Sequence, residues 1–167
     1  GGMKRGEIWL VSGKTGAGKT ALAMQLLRNF ADNPNHSVLA FSLELKGWQL
    51  ALRSFCEMNG INYSDLENGK IEFEPIQVKS FEMFIEGIDY EIIEGGYTFT
   101  EIEKVIETYY TNKKPDVIVL DFIQLIEWKN FKDERIAIME YMRKIKELAN
   151  KLNISFLIVS QLRRLPS

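Results

Sequence analysis

Gly13-Lys14-Thr15-Gly16-Ala17-Gly18-Lys19-Thr20 fits the pattern G-x-x-x-x-G-K-[ST] completely. The chemistry of such a run is anion binding. Glycines let the backbone curl so that successive N–H groups point inward, and a helix that follows presents its positive N-terminus to the same anion. Lys19 adds a full charge suited to the β and γ phosphates of a nucleotide, and the Thr20 hydroxyl is a hard oxygen suited to Mg²⁺. The flanks agree: residues 7–12 form a short apolar run, and residues 19–31 carry Ala21, Leu22, Leu26 and Phe30 at helical spacing. A chance glycine turn would not be expected to have both flanks. The sequence therefore predicts that residues 13–20 bind ATP with Mg²⁺, with Thr20 on the metal.

Three further polar residues stand at the ends of predicted strands. Glu44 follows the strand 37–42, Asp121 ends the strand 116–121, and Gln161 follows the strand 154–160. In parallel α/β sheets, ligands lie outside the carboxyl ends of the strands, so all three should open toward the crevice that holds Lys19. Asp121 is expected to hold Mg²⁺, largely through water, unless it is a plain strand-end turn residue. Glu44 is the candidate general base for an attacking water; the alternative is that it caps the helix beginning near residue 46. Gln161 could sense the γ-phosphate, or be an exposed polar residue. Glu44, Lys19 and Gln161 form the expected catalytic set.

These residues need a scaffold that gathers strand ends. Short β-rich runs alternate with helical stretches, which predicts an α/β fold with a mostly parallel sheet and helices on both faces. Helices are expected over 19–31, 46–58, from near Pro75, from Thr98 or Thr100 to about 111, and over 133–152. A short strand is expected at 90–93. Residues 60–65 read as turns and 123–131 as a loop.

The composition is that of a globular domain: 167 residues, 46% hydrophobic and 26% charged. No apolar run is long enough to span a bilayer and no signal-peptide pattern opens the sequence, so a cytoplasmic protein with no membrane contact is expected. One cysteine, Cys56, and one histidine, His36, rule against a structural zinc site and suggest a buried thiol and a solvated loop residue. A net charge of −2 gives no general drive toward nucleic acid, so any such contact must be local. Lys129, Lys132, Arg135, Arg163 and Arg164 are the basic candidates, and Tyr109, Tyr110 and Trp128 the aromatic ones. The competing readings are a solvated helix face for the charges, and core packing or a subunit contact for the rings.

At these motifs the sequence resembles the RecA-like ATPase domain of DnaB-type replicative helicases. Residues 1–7 are similar to that family's approach to its first strand, and Phe41-Ser42-Leu43-Glu44-Leu45, with Arg53 beyond, to its second motif. Leu120-Asp121-Phe122-Ile123-Gln124-Leu125-Ile126 is similar to its metal-aspartate motif. Residues 143–149 followed by Ser160-Gln161-Leu162-Arg163-Arg164 resemble its long helix and sensor segment. The phosphate loop itself is closer to generic P-loop ATPases. The resemblance implies a RecA-like P-loop domain over residues 1–167, with strand 154–160 lying between those that lead to Lys19 and to Asp121. It implies that Lys19 and Thr20 bind phosphate and metal, that Glu44 is the base, that Arg53 contacts nucleotide, that Asp121 supports the metal and that Gln161 reads the γ-phosphate. It also implies a homo-oligomer, a hexameric ring in the full-length protein, acting on single-stranded DNA. The family's trans-acting basic residues lie downstream of this segment, so the resemblance implies a fragment of a longer chain, a C-terminally incomplete chain or a reduced relative. Gly1 and Gly2 suit the family pattern, so a start within a longer chain is expected rather than two residues added before Met3.

Other functions fit the same residues. A recombinase- or clock-type ATPase would drive assembly instead of unwinding, and a nucleotide-gated module would regulate a partner. A P-loop kinase would need an arginine-rich lid, which the sequence does not offer.

Overall fold

The computed structural model describes residues 2–128 and 130–162. Five strands, β1 (Ile8–Gly13), β2 (Val38–Ser42), β3 (Glu91–Glu94), β4 (Val117–Asp121) and β5 (Ser155–Gln161), form one sheet in the order β1-β5-β4-β2-β3. Every pairing is parallel. Such a sheet must be covered on both faces, which is why β2 and β4 are buried along their whole length and read as continuous apolar runs.

Alternate residues of the strands feed two cores. Leu39, Phe41, Ile118, Leu120, Phe156 and Ile158 pack against α5 (Phe99–Asn112) and α6 (Glu134–Leu152). Val38, Ala40, Val117, Val119, Leu157 and Val159 face α1 (Lys19–Ala31) and α2 (Gly47–Met58). Beside α2 lie a short α3 (Tyr63–Glu67) and α4 (Pro75–Glu86), the latter with Phe81 and Phe84 packed on Phe55. No helix among the described residues is long and apolar enough to cross a membrane.

Apart from α3 and one 3-10 turn, the elements fall where the sequence places them, with small differences at their ends. The region 60–65, read as turns, contains α3, because the Asn62 side chain accepts hydrogen bonds from the Ser64 and Asp65 amides and nucleates a helical turn. The loop 123–131 opens with a 3-10 turn, Ile123–Leu125. Asn153 adopts a left-handed conformation (φ 53°) that stops α6 and turns the chain into β5. Cys56 is buried, and His36 is exposed in the turn after α1. Tyr109 and Tyr110 pack at the margin of the core, whereas Trp128 is exposed.

Of the two candidate caps for α5, Thr98 serves. Its hydroxyl accepts from the Glu101 amide (3.3 Å), and the Glu101 carboxylate accepts from the Thr98 amide (2.8 Å), a reciprocal pair that satisfies two otherwise orphaned donors. Thr98→Ala should cost about 1 kcal/mol, lowering Tm by roughly 2–4 °C for a chain of this size. A thermal melt checks it, and an unchanged Tm would count against the cap.

Candidate functional site

The register of the sheet assembles the site. Gly13 pairs with Gln161 across β1 and β5, and Ser42 with Asp121 across β2 and β4. The phosphate loop, the loop bearing Glu44, Asp121 and Gln161 therefore emerge along one carboxyl edge. There they line a single cavity of about 570 Å³, which runs on between α1 and α2 as far as Tyr63.

The loop has the geometry its glycines allow. Gly16 (φ 76°) and Gly18 (φ 80°) both take left-handed backbone, which a side chain at either position would strain. Gly18 caps α1 without any side-chain hydrogen bond, so the first N–H groups of α1 stand ready for an anion. The Lys19 ammonium donates to the Lys14 carbonyl across the loop (2.8 Å), which holds the charge at the cradle's mouth. Gln161 Nε2 donates to Thr15 Oγ1 (2.7 Å), tying the end of β5 to the loop.

Asp121 is 6% exposed, and its Oδ1 has no hydrogen-bond partner among the described residues. Burial pushes its pKa above the ordinary carboxylate range; a hydrogen bond from Thr20 pulls the other way, Glu44 adds to the rise, and Lys19 and Arg53 oppose it. An orphaned buried carboxylate oxygen beside a threonine hydroxyl is a donor set that fits a hard divalent cation, and these two residues would hold Mg²⁺. Glu44 is exposed at the cavity's rim and does not cap α2. Instead the Lys46 amide donates to Gln49 (3.0 Å) and the Gly47 amide to Glu94 at the end of β3 (2.5 Å). Glu44 is thus left facing the cavity.

Arg53 lines the same cavity, with its guanidinium 4.8 Å from the centre of the Tyr63 ring and its Nε buried without a hydrogen-bond partner among the described residues. The edge therefore gathers Lys19, Thr20, Glu44, Arg53, Asp121 and Gln161. Lys132 and Arg135 are exposed around the start of α6; Lys129, Arg163 and Arg164 lie outside the described residues.

Sequence reasoning missed Tyr63, Ser54 and Gln124. Ser54 is buried, with its hydroxyl at the cavity wall and unpartnered among the described residues. The signal for Tyr63 was its place after an Asn cap; for Gln124 it was a lone amide inside the apolar run 122–126.

The profile of the DnaB-like helicase C terminal domain matches residues 1–167. The chain is 27% identical over 168 residues to the replicative DNA helicase DnaB of Geobacillus stearothermophilus, covering 98% of the chain and 37% of the relative. To the replicative DNA helicase DnaC of Bacillus subtilis (strain 168) it is 29% identical with the same coverage. It thus spans little more than a third of the length of these relatives. One solved ATPase domain superimposes with a TM-score of 0.80 at 25% identity, over 98% of this chain and 60% of that one. A DnaB-like replicative helicase solved for its interactions with primase has the same fold, with a TM-score of 0.80 at 24% identity over 96% of this chain and 40% of that one.

Because burial raises the Asp121 pKa despite Thr20, Lys19 and Arg53, Asp121→Asn should stabilise the metal-free protein near neutral pH by on the order of 1 kcal/mol. The sign follows from the upward shift. Folding holds this proton more tightly, so the stability tied to it is lost as pH rises through the folded pKa, and the ionised form is the unfavourable one. Thermal melts in a chelator test this, and a lower Tm for the variant would contradict it.

Proposed function

The chain belongs to the DnaB-like helicase C-terminal domain family, and we propose that it binds Mg-ATP at the carboxyl edge of its sheet and hydrolyses it as the motor domain of a replicative-type DNA helicase. The observation that carries this reading is the convergence of Lys19, Thr20, Glu44, Asp121 and Gln161 on one cavity. A phosphate cradle alone would support binding. A carboxylate facing the cavity beside a buried carboxylate adds the parts that hydrolysis needs.

The Lys19 ammonium exchanges the Lys14 carbonyl for the β and γ phosphates, while the α1 N–H groups take the oxygens around them. Gln161 exchanges its bond to Thr15 for a γ-phosphate oxygen. Arg53, buried at Nε and without a hydrogen-bond partner there among the described residues, adds a second cation from α2. Thr20 and Asp121 would hold the magnesium ion, which would supply neutralisation of phosphate charge. Glu44 orients a water and takes its proton as the oxygen attacks the γ-phosphorus. The bond from that phosphorus to the bridging oxygen breaks, and ADP leaves with the electron pair.

The names of the relatives support DNA as the track, and we read single-stranded DNA and a homo-oligomeric ring as this chain's partners in the full-length protein. The net charge of −2 argues that such contacts come from local basic residues and from several subunits together.

Glu44→Gln should keep nucleotide affinity within about twofold and lower ATP turnover by about a hundredfold or more. Single-stranded DNA should raise wild-type turnover and leave the variant flat. Near-normal turnover in Glu44→Gln would move the base elsewhere, and wild-type turnover indifferent to DNA would favour an assembly or regulatory ATPase.

A further inference from the structure

Resting on the reading of Gln161 as the γ-phosphate contact, we propose that Gln124 is the positioning residue that aims Gln161 at the phosphate loop. Gln124 sits in the 3-10 turn after β4, and its side-chain amide pairs with the end of β5. Nε2 donates to Ser160 Oγ (2.8 Å) and to the Gln161 carbonyl (3.0 Å), and Oε1 accepts from the Gln161 amide (3.2 Å).

This pairing replaces a missing strand. The ladder between β4 and β5 runs from Val117↔Ser155 to Leu120↔Ile158 and ends there, while β5 continues to Gln161. On its other side β5 is still paired, through Gly13↔Gln161 and a bond from the Leu162 amide to the Gly13 carbonyl (3.0 Å). Without Gln124, residue 161 would be held from one side only. With it, both backbone groups of Gln161 are bonded, as a neighbouring strand would bond them, and the peptide is clamped between β1 and the turn.

The turn can act as a clamp because it is itself anchored. Ile123 and Ile126, on either side of Gln124 in sequence, are each 1% exposed and packed in the core of α5 and α6. A clamped peptide leaves the Gln161 side chain few directions, and the one taken reaches Thr15 Oγ1 (2.7 Å). Gln124 acts through Gln161 and is therefore a positioning residue, not a catalytic one.

The test is steady-state ATPase kinetics with Mg-ATP on wild type, Gln124→Leu, Gln161→Ala and the double variant, with Gln124→Asn alone and in the Gln161→Ala background beside them, each with a melting curve. Gln124→Leu should lower kcat by on the order of ten- to a hundredfold, the usual cost of a small misplacement, with KM for ATP within about twofold. In the Gln161→Ala background the same substitution should change kcat no further, since the clamp then has nothing to aim. Gln124→Asn keeps the amide on a shorter arm; it should lose part of the rate, and its comparison with wild type and in the Gln161→Ala background decides the matter if the leucine variant fails to melt cooperatively. A normal kcat in Gln124→Leu, or a full additional loss in the double variant, overturns the proposal. If Gln161→Ala alone leaves kcat unchanged while Mg-ATP still saturates the protein, the fault lies with the γ-phosphate reading of Gln161, and the clamp falls with it.

Discussion

The site depends on one constraint of the sheet: β5 lies between β1 and β4, parallel to both. That interposition sets the Lys19 cradle and the Asp121 carboxylate one strand apart, with Gln161 from the intervening strand between them. A sheet in which β1 and β4 were adjacent would remove Gln161 from the space between cradle and carboxylate. The apolar runs of β4 and β5 enforce the order, since both strands are buried on two faces and neither suits an edge. β1, whose residues are all exposed or half-buried, takes the edge.

Electrostatics at the carboxyl edge follow from the same geometry. Three charges, those of Lys19, Glu44 and Arg53, act on Asp121 at the cavity, and burial of Asp121 raises its pKa most of all. The resting arrangement is a set of provisional partners: Lys19 on a carbonyl, Gln161 on a hydroxyl, Arg53 on an aromatic ring. Each is weaker than the charge-assisted bond a phosphate would offer, so binding energy is available where the groups already point.

Much of this was legible in the chain. The phosphate loop is local: one contiguous motif between a strand and a helix states its own geometry, and Gly16 and Gly18 have the positive φ that their place in it demands. Asp121 was legible because an apolar run ending in a carboxylate signals a buried strand with a polar lip. The strand order was not legible from periodicity, since alternation says which face a residue takes but not which strand lies beside it; that came from resemblance. Tyr63 stayed hidden because a five-residue helix leaves no periodic trace. Gln124 stayed hidden because its role depends on where the β4–β5 ladder stops, a fact of pairing that no single segment carries. Glu94, which takes the Gly47 amide, carries no local sign of that role, for its partner lies far away in sequence.

Mg-nucleotide seated at this edge would register in hydrogen exchange. Addition of saturating Mg-ADP should slow amide exchange in residues 14–22 and at the end of β5, while the far edge of the sheet at β3 stays as it was. Protection that appears elsewhere and spares residues 14–22, or no protection under conditions where nucleotide is bound, would place the nucleotide somewhere other than this edge.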